Sequence, residues 1–450
     1  MRNKRRRISN GLLLTTLLTV LAFASVGCVE DTYTVCSSGC TYTSIQAAID
    51  AAKAGETIEV CSGTYYENVN VNKQVLLQGV DTGAGQPVVD AGGTGSAFTF
   101  SADYCVLDGF TAIHASDAGI RVYSNNNLVS NNTISNNNHG ISLESSCNNT
   151  LTNNTASNNY YGISLFSSCN NNILTGNTVN SNTNYGIYLY SSCSNNTLTY
   201  NTALNNYYGI YLYSSCSNNT LTYNTASNNS YRGIFLGSSS NNNSLMGNTA
   251  DSNNDHGISI EASCNNTVTG NMANANYFHG IHLATSSTNA LTNNTASNNK
   301  IGIRLTYSSN NNALTGNTAN ANDKYGLYLD SSNSNTLTRN TANANNRSGM
   351  YVPSSSRDNY IYNNYFDNPI NAHDSGSNIW NSTQTPVTNI IGGPWLGGNY
   401  WSDYAGEDTN GDGFGDTQLP HKSSGYIVNG GDWLPLVTAE PAIFDTRDGN

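Results

Sequence analysis

Apolar residues in this chain fall in short alternating runs that recur at a nearly fixed interval. The pattern is plainest at Tyr185–Ala203, YGIYLYSSCSNNTLTYNTA, whose letters return unchanged at Tyr208–Ala226. Each unit opens on a Gly and an aliphatic residue: Gly119-Ile120, Gly140-Ile141, Gly162-Ile163, Gly186-Ile187, Gly209-Ile210, Gly233-Ile234, Gly257-Ile258, Gly280-Ile281 and Gly302-Ile303, continued by Gly326-Leu327 and Gly349-Met350. Successive pairs are 21 to 24 residues apart. In GIYLY, apolar positions alternate with outward ones, the period of a half-buried strand. A turn of Ser, Cys and Asn follows, then a second strand of the type NTLTYNTA, then an Asn-rich corner. None of these units has helical spacing, and the leucine-rich-repeat pattern is missing. A strand-built repeat of this length predicts a solenoid: an all-β parallel β-helix, one coil per unit, with equivalent residues about 4.8 Å apart.

Three columns of Asn support that stacking. Asn127, Asn149, Asn172, Asn196, Asn219, Asn243, Asn266, Asn289, Asn312, Asn335 and Asn359 precede the second strand. Asn132, Asn154, Asn177, Asn201, Asn224, Asn248, Asn271, Asn294, Asn317, Asn340 and Asn364 lie five residues further on. A third column, including Asn159, Asn182, Asn206 and Asn229, marks the corner before Gly. Asn tolerates left-handed backbone at corners, and stacked amides can bond from coil to coil. The columns therefore read as scaffold. Cys147, Cys169, Cys193, Cys216 and Cys264 align in the same reading with Ser240, Thr288, Asn310, Asn333 and Ser356, so the position takes small residues and does not require sulfur. Parallel Cβ vectors in a stack suit disulfides poorly, and stacked free thiols are expected.

A solenoid must close its ends. Ile45, Ala48, Ile49 and Ala52 form one face of a short helix ended by Gly55, and strands at Thr57–Val60 and Val75–Leu77 follow. The helix is expected to plug the first coil. Cys61 with Cys36 or Cys40 is the bridge anticipated there. The repeat fades after Phe366, and DTNGDGFGD (Asp408–Asp416) follows an aromatic stretch. Asp408, Asn410, Asp412, the Phe414 carbonyl and Asp416 stand at positions 1, 3, 5, 7 and 9 of a calcium-loop pattern, and oxygen donors at such spacing suit Ca²⁺. Leu419 occupies position 12, where an EF-hand has Glu, so a shortened structural loop is expected, against the alternative of a plain Asp/Gly turn.

Composition adds location and excludes one class of partner. Arg2, Lys4, Arg5, Arg6 and Arg7 precede an apolar stretch, Gly11–Val26, and AFAS (Ala22–Ser25) offers a cleavage site, the features of an export signal. Without those five basic residues the formal charge moves from −12 to −17. An acidic mature chain argues against nucleic acid. SVGC (Ser25–Cys28) is a rival site that would leave a lipid anchor on Cys28. No second apolar stretch predicts a transmembrane segment. The expected organisation is a signal peptide over 1–27, a cap and first coils over 28–112, repeats over 113–366 and a C-terminal cap over 367–450, in a secreted or cell-surface protein.

YTSIQAAIDAAKAGETIEV, the NNTLTYNTASNN coils and the GGNYWSDY…DTNGDGFGD ending together resemble archaeal secreted NosD-type β-helix proteins. The resemblance spans nearly all of the mature chain. It implies a right-handed β-helix of the superfamily that includes pectate lyases, polygalacturonases and carbohydrate-binding proteins. Bacterial namesakes are often labelled copper-binding. No Met-rich run and no Cys/His motif in this sequence suits that metal.

The outward positions of GIxLx carry the remaining candidates. One ladder holds Tyr188, Tyr211, Phe235, Ser259, His282 and Arg304; its neighbour holds Phe166, Tyr190, Tyr213 and Glu261. Phe166, Tyr188, Tyr190, Tyr211, Tyr213 and Phe235 make an aromatic platform on which flat sugar faces could stack, extended sideways by Tyr161, Tyr185 and Tyr208; the alternative is Tyr stacking that only stabilises the sheet. Asp251, Asp255, His256, Glu261, His279 and His282 form the densest polar spot. They read as solvated surface residues, with acid/base or metal chemistry at Asp255, His256, Glu261, His279 and His282 as the alternative. Arg304 is expected to stand apart from acidic groups. The function expected is non-enzymatic binding of a polysaccharide or glycosylated surface polymer along the strand face. A polysaccharide lyase or glycoside hydrolase is the second reading and a purely structural envelope or matrix component the third. NNT sequons at Asn131, Asn148, Asn153, Asn195, Asn218, Asn265 and Asn293 arise automatically from the repeat.

Overall fold

The alternation of apolar residues closes into three parallel sheets wound along one axis. The computed structural model describes residues 32–438; the expected signal peptide and Cys28 lie outside the described residues. One sheet has 16 strands, beginning at Thr32–Val35 and ending at Ser377–Ile379. A second has 14, from Val69–Val71 to Ala372–Asp374, and contains every GIxLx strand. The third is a five-stranded piece and a three-stranded piece linked by single parallel bridges from Thr155↔Thr178 to Thr318↔Thr341. All named strand pairs are parallel, as in Ile187↔Ile210 and Leu198↔Leu221, and the register shifts only between Arg357 and Tyr360, where Arg357–Tyr362 meets Ser377–Ile379. Inward residues of all three sheets, such as Ile187, Leu189, Leu198 and Ala203, are fully buried.

The Asn columns account for the polar groups of the coil corners. Asn201 is representative: its Oδ1 accepts from the backbone N–H (3.0 Å) and side-chain amide (2.9 Å) of Asn177, and its own Nδ2 donates to Leu174 O (2.8 Å) and Asn224 Oδ1 (3.0 Å). A buried amide that makes all these bonds avoids the desolvation cost of an unpaired one. The left-handed backbone falls elsewhere than expected. It sits on the residue before each ladder Asn, as at Asn195, Tyr200 and Asn205 (φ 58°, 56° and 57°). Asn378, Asn399 and Asn371 terminate the three ladders.

The cysteine column also needs correction. The buried column runs Ser146, Cys169, Cys193, Cys216, Ser240, Ser263, Ser286, Ser309, Ser332 and Ser356, with Ser146 N–H directed at Cys169 Sγ (3.5 Å) and Ser240 N–H at Ser263 Oγ (3.1 Å). Cys147 and Cys264 stand one place later and are half-buried. The Cys169 coil has one more residue in this turn than the coil of Cys147, which shifts the register by one. Stacked free thiols at Cys169, Cys193 and Cys216 are present as expected.

At the N-terminal end the helix spans Ile45–Ala51, with Ile45, Ala48 and Ile49 buried against strands Thr32–Val35, Thr57–Cys61 and Val69–Val71. The Glu67 carboxylate accepts from the Ile45 (2.9 Å) and Gln46 (3.0 Å) N–H groups, satisfying donors that no helical partner can reach. One sheet begins before this helix, at Thr32–Val35. The disulfide joins Cys36 to Cys40 and leaves Cys61 free, in place of a bridge to Cys61. At the far end strand pairing continues past Phe366 to Tyr400–Trp401. There the Trp380 and Trp401 indoles donate to buried Asp374 (2.9 Å) and Asp432 (2.8 Å).

Candidate functional site on the fourteen-stranded face

Parallel register turns each outward position of GIxLx into a ladder. Ser164, Tyr188, Tyr211, Phe235, Ser259, His282, Arg304 and Tyr328 are successive partners, flanked by Phe166, Tyr190, Tyr213, Gly237 and Glu261. The rings fill the space between coils by stacking. Tyr161 and Tyr185 are parallel at 5.6 Å, Tyr185 and Tyr208 lie 5.2 Å apart, and Tyr190 and Tyr213 are parallel at 6.3 Å. Burial raises the Tyr188, Tyr208 and Tyr211 hydroxyls above the usual phenol range. Tyr190 remains 39% exposed, whereas Phe235 is 4% exposed beneath the Arg232 guanidinium, 4.9 Å above its ring. Phe235 therefore supports the platform from below and offers no face to a ligand.

The polar spot is a built cluster, which corrects its reading as solvated surface: Asp255, His256, His279 and His282 are 4–8% exposed. The preceding coil supplies Arg232, whose Nε meets Asp255 Oδ2 at 2.8 Å and whose Nη1 meets Glu261 Oε1 at 2.7 Å. His256 and His279 stack at 4.6 Å, and His282 lies 4.7 Å from His256. Arg304 closes the cluster and does not stand apart: Nη1 is 3.1 Å from His279 Nε2 and Nη2 is 4.0 Å from Asp330 Oδ2. His282 Nε2 meets Thr306 Oγ1 at 3.1 Å. Burial first, then the His282 imidazole and the Arg304 guanidinium, push His279 down to about 2; burial and the Arg304 and Arg232 guanidiniums push His282 down to about 3. Both are neutral imidazoles at pH 7, and His256 is depressed further still by burial and the two other histidines.

The Nδ1 atoms of His279 and His282 and Arg304 Nε are buried without a hydrogen-bond partner, while His256 Nδ1 faces Asp255 Oδ1 at 3.6 Å. Unpartnered buried polar atoms are rare in a finished interior. A single guanidinium, that of Arg232, engages both carboxylates. Asp251 falls outside the cluster, on a corner where its carboxylate accepts from Asn274 N–H (2.6 Å). Arg232 was missed in sequence, and Arg304 was placed in its ladder but not in the cluster, because their partners sit one coil away, 23 and 25 residues off.

In the Asp408–Asp416 loop the side chains turn toward the backbone. Asp408 accepts from Gly411 and Gly413 N–H (2.7 and 2.9 Å), Asp412 from Phe414 N–H (3.0 Å) and Asp416 from Thr409 N–H (2.8 Å). Asn410 donates its amide to Asp416 Oδ1 (3.2 Å). Among the described residues, one set of three Cys, His, Asp or Glu ligand atoms lies within 4.8 Å of one another: Cys36, Cys40 and Cys61. The sequence reading brought these three together as a bridge to Cys61; in the structure Cys36 and Cys40 pair and Cys61 arrives beside them from the next coil. All seven of the sequon Asn named above are exposed.

Three parallel sheets, stacked Asn corners and capped ends define a parallel β-helix. The chain belongs to the NosD family, whose model, described as periplasmic copper-binding protein (NosD), matches residues 88–254 and 248–406. Among solved structures, the A-module of the Azotobacter vinelandii mannuronan C-5 epimerase AlgE4 is similar, with a TM-score of 0.49 and 16% identity over 74% of this chain and 95% of that one. The periplasmic alginate epimerase AlgG (0.44, 15%, over 68% and 76%) and the pectate lyase Pel9A (0.43, 19%, over 59% and 78%) are similar to a lesser degree. No curated protein sequence matches. No helix among the described residues is long and apolar enough to cross a membrane.

Proposed function

We propose that this is a secreted or cell-surface protein that binds an extended polysaccharide along its fourteen-stranded face. The observation that carries the reading is the unbroken, in-register aromatic run from Tyr161 to Tyr213, ending at the Arg232–Arg304 cluster. An extended polymer repeats along its axis, and so does this surface; sugar faces and hydroxyls find ring edges, phenol groups and the exposed Tyr190 at each step. The C-terminal loop is proposed to take a structural Ca²⁺ through Asp408, Asn410, Asp412, the Phe414 carbonyl and Asp416.

Binding to a panel of neutral and anionic polysaccharides, measured with and without Ca²⁺, tests the reading. Tyr190→Ala with Tyr213→Ala is expected to weaken binding at least tenfold, and unchanged affinity would remove the aromatic face from consideration.

One observation favours a second reading, in which the same face turns its polymer over. The unpartnered Nδ1 atoms of His279 and His282, beside Arg304, leave hydrogen-bonding groups free to meet an anionic substrate group at the cluster. Product analysis in the same panel separates the two: chain cleavage or epimerisation that disappears in His279→Gln would establish catalysis.

A further inference from the structure

Two groups of cysteines, apart from the half-buried Cys147 and Cys264, differ in their surroundings. Cys105, Cys169, Cys193 and Cys216 are fully buried, and each directs its thiol at a backbone carbonyl, those of Lys73, Phe166, Tyr190 and Tyr213 respectively, 3.2–3.4 Å away. Cys36, Cys40 and Cys61 are half-buried, with the three Sγ atoms within 4.8 Å of one another. Their convergence is built into the cap. Strands Thr32–Val35 and Thr57–Cys61 pair in parallel with Val35 opposite Val60, so Cys36 and Cys61 leave adjacent strands side by side. The Ser37-Ser38-Gly39 turn then returns Cys40 to Cys36, Cα to Cα 5.5 Å. The Tyr65 hydroxyl donates to Cys61 O (2.9 Å) and reaches Val35 O (3.4 Å), tying the two strand ends together next to the sulfurs.

We propose that Cys36, Cys40 and Cys61 form a redox-gated three-thiolate site for a thiophilic cation, cuprous copper or zinc. It is independent of the polymer-binding reading. A dithiol reductant supplies two electrons and two protons, the Cys36–Cys40 S–S bond breaks, and the reductant leaves as its own disulfide. The cation then displaces one proton from each of the three thiols. Three thiolates about 2.3 Å from one ion stand about 4 Å from each other, so small side-chain rotations from the observed spacing suffice. Soft sulfur donors select Cu(I) and Zn²⁺ over the hard cations expected at the Asp408–Asp416 loop. In the reverse exchange a small-molecule disulfide takes the two electrons and leaves as its dithiol, the Cys36–Cys40 bond re-forms, two of the three donors are lost and the ion is released. No contiguous Cys/His motif suits copper, and this donor set is assembled only by the pairing of two strands outside the repeats.

The test uses the full chain after phosphine reduction under anaerobic conditions, titrated separately with Cu(I) against a chromogenic chelator and with Zn²⁺. One equivalent is expected to bind at least a hundredfold more tightly than to Cys61→Ser or Cys40→Ser, with a thiolate-to-copper charge-transfer band in the copper arm. The oxidised chain is expected to bind neither ion at this site, and Cys147→Ser with Cys264→Ser is expected to leave uptake intact. Thermal melts of each variant separate lost binding from lost folding. Equal uptake by wild type and Cys61→Ser would overturn the proposal, as would a reduced wild type that binds neither ion. Retention of one ion alone assigns the site to it.

Discussion

The imidazoles of His256 and His279 lie parallel on adjacent coils, 4.6 Å between centroids and 12° between planes. Two cationic rings could not share that spacing between Arg232 and Arg304, so the stack exists as neutral imidazole.

Stability should therefore fall in acid from near neutrality. His279 and His282 drop from 6.5 to about 2 and about 3 on folding. Below pH 6.5 the unfolded chain takes up protons that the folded chain refuses, so their contribution is complete above 6.5 and is lost toward pH 3. The slope is up to about 1.4 kcal/mol per pH unit for each histidine. Asp432, raised to about 6 by burial, opposes this between about pH 4 and 6, since its contribution is present in acid and lost as pH rises. The histidines outnumber it. Urea midpoints at pH 7, 6 and 5 are expected to decline, and the decline to be shallower in His282→Gln. An equally steep decline in that variant would refute the assignment.

Cutting one ladder in mid-rod should cost more than one hydrogen bond. Asn224→Ala removes the acceptor for Asn201 N–H and Nδ2, and the donor to Leu198 O and Asn248 Oδ1. At about 1–3 kcal/mol for each buried group left unpaired, the loss is several kcal/mol. Hydrogen exchange should rise first in the coils on either side of residue 224; exchange confined to the rod ends would contradict this.

Gly209 is required by close approach and not by φ. A Cβ there would lie 2.5 Å from Gly233 O and 2.9 Å from Ala226 Cβ. Gly209→Ala is expected to lower the melting temperature by several degrees, whereas Gly270→Ala, with φ 64° but nothing within 4 Å, should cost less, about 1 kcal/mol. Comparable losses in the two would show that backbone freedom governs both sites.

Calcium should stabilise the C-terminal cap. Addition of millimolar Ca²⁺ is expected to raise the melting temperature of the chelator-treated protein, and to do so far less in Asp408→Ala with Asp412→Ala. Equal shifts in both proteins would locate calcium elsewhere.

Local pattern was enough to read the coil. GIYLY alternates because one side of a strand faces a core, and the Asn columns recur because every coil presents the same corner amides to the next. The cap helix was legible from Ile45, Ala48 and Ile49, although the strand ahead of it was not, since Thr32–Val35 is too short to show a period. The cysteine register slipped at Cys147 because one inserted residue is invisible to a motif that still spells SSC.

The sequence by itself determined the solenoid, its period and the residues that line its outward ladders, because these follow from interactions between neighbouring copies of one repeat. Only the tertiary structure decided which side chains meet across coils. It drew Arg232 and Arg304 onto the histidines, buried Phe235, and gathered Cys36, Cys40 and Cys61 at the cap. The physical reason is separation: coils about 4.8 Å apart in space are 21 to 24 residues apart in the chain. Partners at that distance carry no local signature.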